Sequence, residues 1–244
     1  MIISELLQEI NNFAPFELCA DWDNSGLIVG DYESEVKKIA VSLDAVPEAV
    51  IQASNLGCNV LITHHPLIFR GIKQINTKNW QGLTIKEALT REINIIAAHT
   101  NFDRAAHGVN YVLAEKIGLE QLENLSDYGL KGNLREKMSL DIFLAHVKNC
   151  WNLTHLDCYG LERDIKRVSL CGGSGAEFWQ FASDSDIYIT ADMKYHELID
   201  ATRSGLIIAS CNHGEMERVS MNKLAENLHA NLLDVKALDN YRRI

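Results

Sequence analysis

The chain has 244 residues, 47% apolar and 23% charged, with a formal net charge of -10. That length accommodates one large domain or two smaller ones, each with its own core, and the balance is that of a globular rather than a disordered chain. An acidic chain with no basic run longer than Arg242-Arg243 argues against nucleic-acid binding as the main activity, and no stretch approaches the ~20 uninterrupted apolar residues of a membrane span.

The N-terminus, Met-Ile-Ile-Ser-Glu-Leu-Leu-Gln-Glu-Ile, is acidic where a secretory signal is basic, so a cytoplasmic location is expected. Ile3 to Phe13 carries apolar residues at helical spacing. Lys38 to Leu43 and Asn59 to Ile62 read as buried strands around a helix from Pro47 to Asn55. Such a strand-helix-strand unit predicts a parallel or mixed sheet. A helix over Trp80 to Glu92, a strand over Asn94 to Ala98 and a helix from Val109 to Ile117, closing at Gly118, follow. The polar stretch Glu120 to Glu136 is the expected boundary, dividing a first α/β half (1–125) from a second (126–244), with the last helix free to pack back on the first.

The second half repeats the theme. Helix Leu140 to Cys150, strands Leu156 to Tyr159 and Val168 to Leu170, a helix, strand Ile187 to Ile189, a helix, strand Leu206 to Ser210 and helix Met216 to Leu228 are expected in turn. Val41-Ser-Leu recurs as Val168-Ser-Leu and Ile62-Thr as Ile189-Thr at one common offset, which is the order of a duplicated unit. The six cysteines, at 19, 58, 150, 158, 171 and 211, form no Cys-x-x-Cys pair and read as reduced thiols.

Three expected strands end in metal-ligating residue types. His64-His65 follows the run ending Leu-Ile-Thr, His99-Thr-Asn-Phe-Asp103 follows a second run, and His213-Gly-Glu-Met-Glu217 a third. Successive side chains on an extended backbone diverge, so adjacent imidazoles feed two different cations. His213 and Glu217, four apart, share one face of a helix. Glu217 can then bridge two ions, with His64 and Asp103 completing one half-site and His65 and His213 the other. The carboxyl edge of an open α/β sheet is where ligands bind. A mixed imidazole and carboxylate set suits zinc, iron or manganese better than calcium. Any single pair among nine histidines is weak evidence; the weight comes from three clusters at three strand ends.

Trp22-Asp-Asn-Ser-Gly-Leu27, Ile62-Thr-His-His-Pro-Leu67, His99-Thr-Asn-Phe-Asp103, Thr190-Ala-Asp-Met-Lys-Tyr-His196 and His213-x-x-x-Glu217 together resemble the Nif-three-like family, also known as GTP cyclohydrolase 1 type 2 homologs. The resemblance implies two similar α/β halves with mixed sheets flanked by helices and a dinuclear metal site in the cleft between them. It carries the ligand roles onto His64, His65, Asp103, His213 and Glu217. It further implies a ring-shaped homohexamer built as a trimer of dimers, and a nucleotide or other small-molecule substrate, with GTP ring opening as the reaction. The chain has the short form, without the domain some members insert between the halves. It departs from the family at Gly214, where a bulkier residue is usual, and at His107, where glycine is common.

Around the ligands, His99, Asp192 and His196 are candidates for orienting ligands or moving protons. A capping role for Asp192 and a plain strand-end role for His99 are the simpler readings. Cys171-Gly-Gly-Ser-Gly175 reads first as a tight turn, and Trp22-Asp23-Asn24 first as an Asx-turn. The functional expectation is a hydrolase using two divalent ions. Its rival is a non-catalytic oligomeric metal chaperone or protein-interaction adaptor.

Overall fold

The computed structural model describes residues 1–235 and residue 237; Arg242-Arg243 lies outside them. The chain divides into two compact units. Unit 1 comprises Met1–Ala105 and the segment starting at Met221, and unit 2 comprises Ala106–Ser220.

In unit 1, α1 (Ile3–Phe13) buries Ile3, Leu6 and Ile10, the spacing of one helical face, and Glu5 accepts a hydrogen bond from the Ile2 N–H at 2.9 Å. The strand β1 (Gly26–Val29) precedes β2 (Ile39–Ser42), and α2 (Pro47–Asn55) starts with proline at its first position, where the missing N–H costs nothing. Then come β3 (Val60–Thr63), α3 (Trp80–Thr90), β4 (Asn94–Ala97) and the single turn α4 (Thr100–Arg104). The Asn79 side chain caps α3 by accepting from the Gly82 N–H at 2.8 Å. The sheet order is β1-β4-β3-β2-β11, where β11 (Asn231–Leu232) returns from the far end of the chain. All its neighbours run parallel except β1 against β4. One face packs Ala40, Leu61 and Ile95 against Val50, Ala53 and Ile85 of the helices. Every residue of β3 and β4 is buried, as central parallel strands require.

Unit 2 opens with α5 (Val109–Lys116), followed by Gly118 at φ +74°, then β5 (Glu120–Asn124), β6 (Leu130–Met138), α6 (Leu140–Cys150), β7 (Leu156–Tyr159) and β8 (Ile165–Leu170). A 3-10 stretch (Ala176–Ala182) leads to β9 (Ile187–Ala191), α7 (Tyr195–Arg203), β10 (Ile207–Cys211) and α8 (His213–Asn227), the helix on which the chain leaves unit 2. The sheet order is β5-β6-β8-β9-β10-β7, with β8, β9 and β10 parallel and the rest antiparallel. Leu125, Tyr188, Ala201 and Ile208 form its core. Before α5, His107 holds φ +67°, a left-handed conformation that glycine adopts without steric cost.

The divide falls ahead of the polar stretch in which the sequence places it. Glu120 to Glu136 is no linker: it supplies β5 and most of β6, and β6 pairs with β8 inside the second sheet. The repeated theme has a structural counterpart. In unit 1 the order β1-β4-β3-β2 joins one antiparallel strand to three parallel ones, and in unit 2 β7-β10-β9-β8 does the same, with helices at matching points. The register is not copied: Val41 pairs with Ile62, whereas Val168 pairs with Ile187. All six cysteines are free, and among the described residues no helix is long and apolar enough to cross a membrane.

Candidate metal centre

The carboxyl ends of three strands in unit 1 converge on one group of side chains. β2 is followed by Asp44, β3 by His64 and His65, and β4 by His99, which opens the turn α4 carrying Asp103. His64 is fully buried, and its Nδ1 faces the Ala98 carbonyl at 3.0 Å. His65 Nδ1 lies 2.7 Å from Asp44 Oδ1, and His99 Nδ1 2.8 Å from Asp23 Oδ1. A carbonyl or carboxylate oxygen only accepts, so each Nδ1 carries the proton and donates it, and in the neutral ring Nε2 is left with the lone pair. The three imidazoles each offer one nitrogen within 4.8 Å of the others. Asp103 joins them, its Oδ1 3.5 Å from His64 Nε2. An imidazole whose second nitrogen is held by a carbonyl or carboxylate is the arrangement found at metal ligands, where it fixes the tautomer and raises donor basicity.

Asp23 is the anchor beneath His99. Its buried carboxylate also accepts from the Asn24 N–H at 2.7 Å, Ser25 Oγ at 2.9 Å, and the Thr100 N–H and hydroxyl at 3.1 and 2.6 Å. Burial opposes its charge, but these donors outweigh burial and hold the carboxyl far below the usual range. The Asx-turn expected here would take the Ser25 N–H; the Asp23 carboxylate accepts instead from the adjacent Asn24 N–H and from the Ser25 hydroxyl, two bonds of its five.

In unit 2, α8 places His213 and Glu217 on one face, with His213 Nε2 3.0 Å from Glu217 Oε2. Asp192, just past β9, accepts from His213 Nδ1 at 2.6 Å and from Ser174 Oγ at 2.7 Å. Burial works against the imidazolium, yet the two carboxylates push His213 up to about 10. Asp192 moves the opposite way, its carboxyl lowered chiefly by the bond from His213. Asp192 also adopts φ +55°, uncommon for a residue with a side chain and tolerated best by Asp and Asn. Asp192 thus bonds His213, and the N-cap position of α7 is taken by Lys194. His196 stands exposed in the first turn of α7 against Tyr195, with no hydrogen bond to Asp192 among the described residues.

Gly173, inside Cys171-Gly-Gly-Ser-Gly175, has φ +63°, and a Cβ there would lie 2.3 Å from Glu217 Oε1 and 3.1 Å from His213 Nε2. The loop turns tightly, the Gly175 N–H donating to the Gly173 carbonyl at 3.0 Å, and its backbone packs against Glu217 where a side chain would clash. Asp44 and Gly173 are the residues that sequence reasoning passes over. The signal for Asp44 was its place after the apolar run Lys38 to Leu43, a fourth strand end bearing a carboxylate.

Two α/β units whose strand ends carry imidazoles and carboxylates, in groups that could hold a metal ion, define a candidate metal-binding protein. The chain belongs to the Duf34/NIF3 (NGG1p interacting factor 3) family, whose model matches residues 1–241. A relative from Campylobacter jejuni, named GTP cyclohydrolase 1 type 2 homolog, is 33% identical over 93% of this chain and 92% of its own. A Helicobacter pylori protein named GTP cyclohydrolase 1 type 2 is 31% identical over 94% and 92%. Among solved structures, Staphylococcus aureus protein SA1388 superposes with a TM-score of 0.92 at 27% identity, covering 100% of this chain and 99% of that one.

Proposed function

We propose that the protein is a dinuclear metal-dependent hydrolase acting on a purine nucleotide, in which His64, His65, Asp103, His213 and Glu217 hold two divalent ions. The observation that carries this reading is the state of the imidazoles. Three rings in unit 1 have Nδ1 committed to Ala98, Asp44 or Asp23, so Nε2 is the donor each offers. With Asp103 beside His64 and Glu217 beside His213, the donors are mixed nitrogen and oxygen, which fits zinc, iron or manganese. The close approach of Gly173 to Glu217 and His213 leaves no room for a side chain beside these two donors.

When bound, such ions supply Lewis acidity to a substrate oxygen and acidify a water. The chain's own residues do the rest. Asp44 fixes His65, and Asp192 fixes His213. His99, held by Asp23 through Nδ1, can accept a proton at Nε2 and return it. His196, exposed at the start of α7, is available to a substrate rather than to the ligands. The names of the relatives support a purine nucleotide and, by analogy, GTP ring opening.

The test is release of formate from GTP by protein loaded with zinc, iron or manganese, with Asp103→Ala inactive. No formate, together with loss of some other hydrolysis in Asp103→Ala, defeats the cyclohydrolase assignment and leaves a hydrolase. No hydrolysis of any nucleotide or phosphoester by fully loaded protein defeats both.

A further inference from the structure

Trp22 and Phe69 are large apolar side chains left 59% and 43% exposed. Scattered surface aromatics need no explanation, but these two touch. Their rings meet edge to face at 5.7 Å, and each also meets the His99 ring, at 6.4 and 6.0 Å. His99 in turn lies against His64 and His65, at 5.1 and 5.8 Å between rings. The exposed pair therefore stands beside the donor cluster within unit 1.

The loops bearing the pair are tied down. Asn24 Nδ2 donates to the Ile68 carbonyl at 2.5 Å, joining the Trp22 loop to the Phe69 loop. Gln81 Nε2 donates to the Leu67 carbonyl at 2.7 Å, and Asp23 is pinned by its five donors. Exposed rings on anchored backbone are already in place for a ligand and lose little freedom on binding it.

We infer that Trp22 and Phe69 form a stacking subsite for the planar heteroaromatic ring of a small-molecule substrate, set beside His99. At the stated exposures the two rings present roughly 200 Å², far below the about 800 Å² per partner of a stable protein interface, so the patch suits one ring system rather than a protein. A base stacks on any aromatic face, and two rings meeting edge to face beside an imidazole offer such a face. The subsite draws its purpose from the hydrolase reading, to whose purine substrate it assigns the two residues that would hold the base, but its geometry stands without it.

Isothermal calorimetry on metal-loaded full-length protein, with guanosine, nicotinamide and ribose as probes, tests this. Guanosine and nicotinamide should bind and ribose should not. Trp22→Ala and Phe69→Ala should each weaken guanosine about five- to a hundredfold, with metal content and circular dichroism unchanged. Trp22→Tyr should keep most of the affinity, and Trp80→Ala, at another exposed tryptophan, should match the wild type. Wild type that binds neither heterocycle, or Ala variants that bind guanosine as wild type does, would overturn the subsite. So would Trp22→Ala changing the oligomeric mass while guanosine affinity is kept, because the rings would then be a contact between copies. Protein that takes up ions yet ignores both heterocycles loses the subsite and keeps the hydrolase reading; protein that takes up no ion yet binds guanosine through Trp22 does the reverse.

Discussion

At the scale of single residues, what distinguishes the cluster is the partner behind each imidazole. Asp44 lies 2.7 Å from His65 Nδ1, so Asp44→Ala should lower metal affinity by roughly ten- to a hundredfold while leaving the ligands in place, read by titration against a chromophoric chelator. Unchanged affinity would show that His65 needs no such hold. At Gly173, alanine meets both a left-handed backbone and Glu217 Oε1. Gly173→Ala should therefore lose metal and, from the backbone alone, about 1 kcal/mol of stability. A folded Gly173→Ala protein with two ions per chain would contradict the role given to that glycine. The ligand types could be read from the sequence because each follows an apolar run. The pairings of Asp44 with His65 and of Asp23 with His99 could not, because a carboxylate 21 residues from His65, or 76 from His99, becomes a partner only when strands align.

At the scale of elements, the helices were legible wherever one face is apolar, as in Ile3, Leu6 and Ile10. β1 has four half-buried residues and no alternation, and β5 has four exposed polar residues around a half-buried Leu122, so neither reads as a strand. β6 does alternate, Leu130, Gly132 and Leu134 buried between Lys131 and Asn133, but its high polarity reads as a linker. Two local devices make predictions. Removing the cap with Asn79→Ala should cost about 1 kcal/mol and lower Tm by about 2–4 °C, measured by calorimetry. Asp184 bonds Lys131 Nζ at 3.0 Å and Arg167 at 3.2 Å. Burial opposes its charge, and the two cations outweigh burial, so its carboxyl sits below the ordinary value of 3.8. A pKa depressed by folding adds stability that is present at neutral pH and lost as pH falls through the folded value. Asp184→Asn should hence lower Tm at pH 7 and converge with the wild type in acid; a gap that persists at the lowest pH would assign the loss to something other than charge.

At the scale of the whole molecule, the repeated order of one antiparallel and three parallel strands was visible in outline as Val41-Ser-Leu and Val168-Ser-Leu. The divide was not, because the chain makes unit 2 in the middle of unit 1, and only contacts reveal an insertion. Unit 2 has its own six-stranded sheet and core, so residues 106–220 expressed alone should melt cooperatively by circular dichroism, and a gradual, featureless melt would refute that independence. The ring implied by resemblance gives a simple expectation for light scattering, six times the 27.4 kDa chain; a monomer at micromolar concentration would refute it. The closing strand β11 pairs with β2 although some 190 residues separate them. On the ribosome, at ~5–20 residues per second, the edge of β2 therefore waits on the order of ten seconds, while the hundred-odd residues of unit 2 emerge, before its neighbour exists. A bare parallel edge is a template for misassociation, so the nascent first sheet is the stage of this protein's life at which a holding chaperone would matter most.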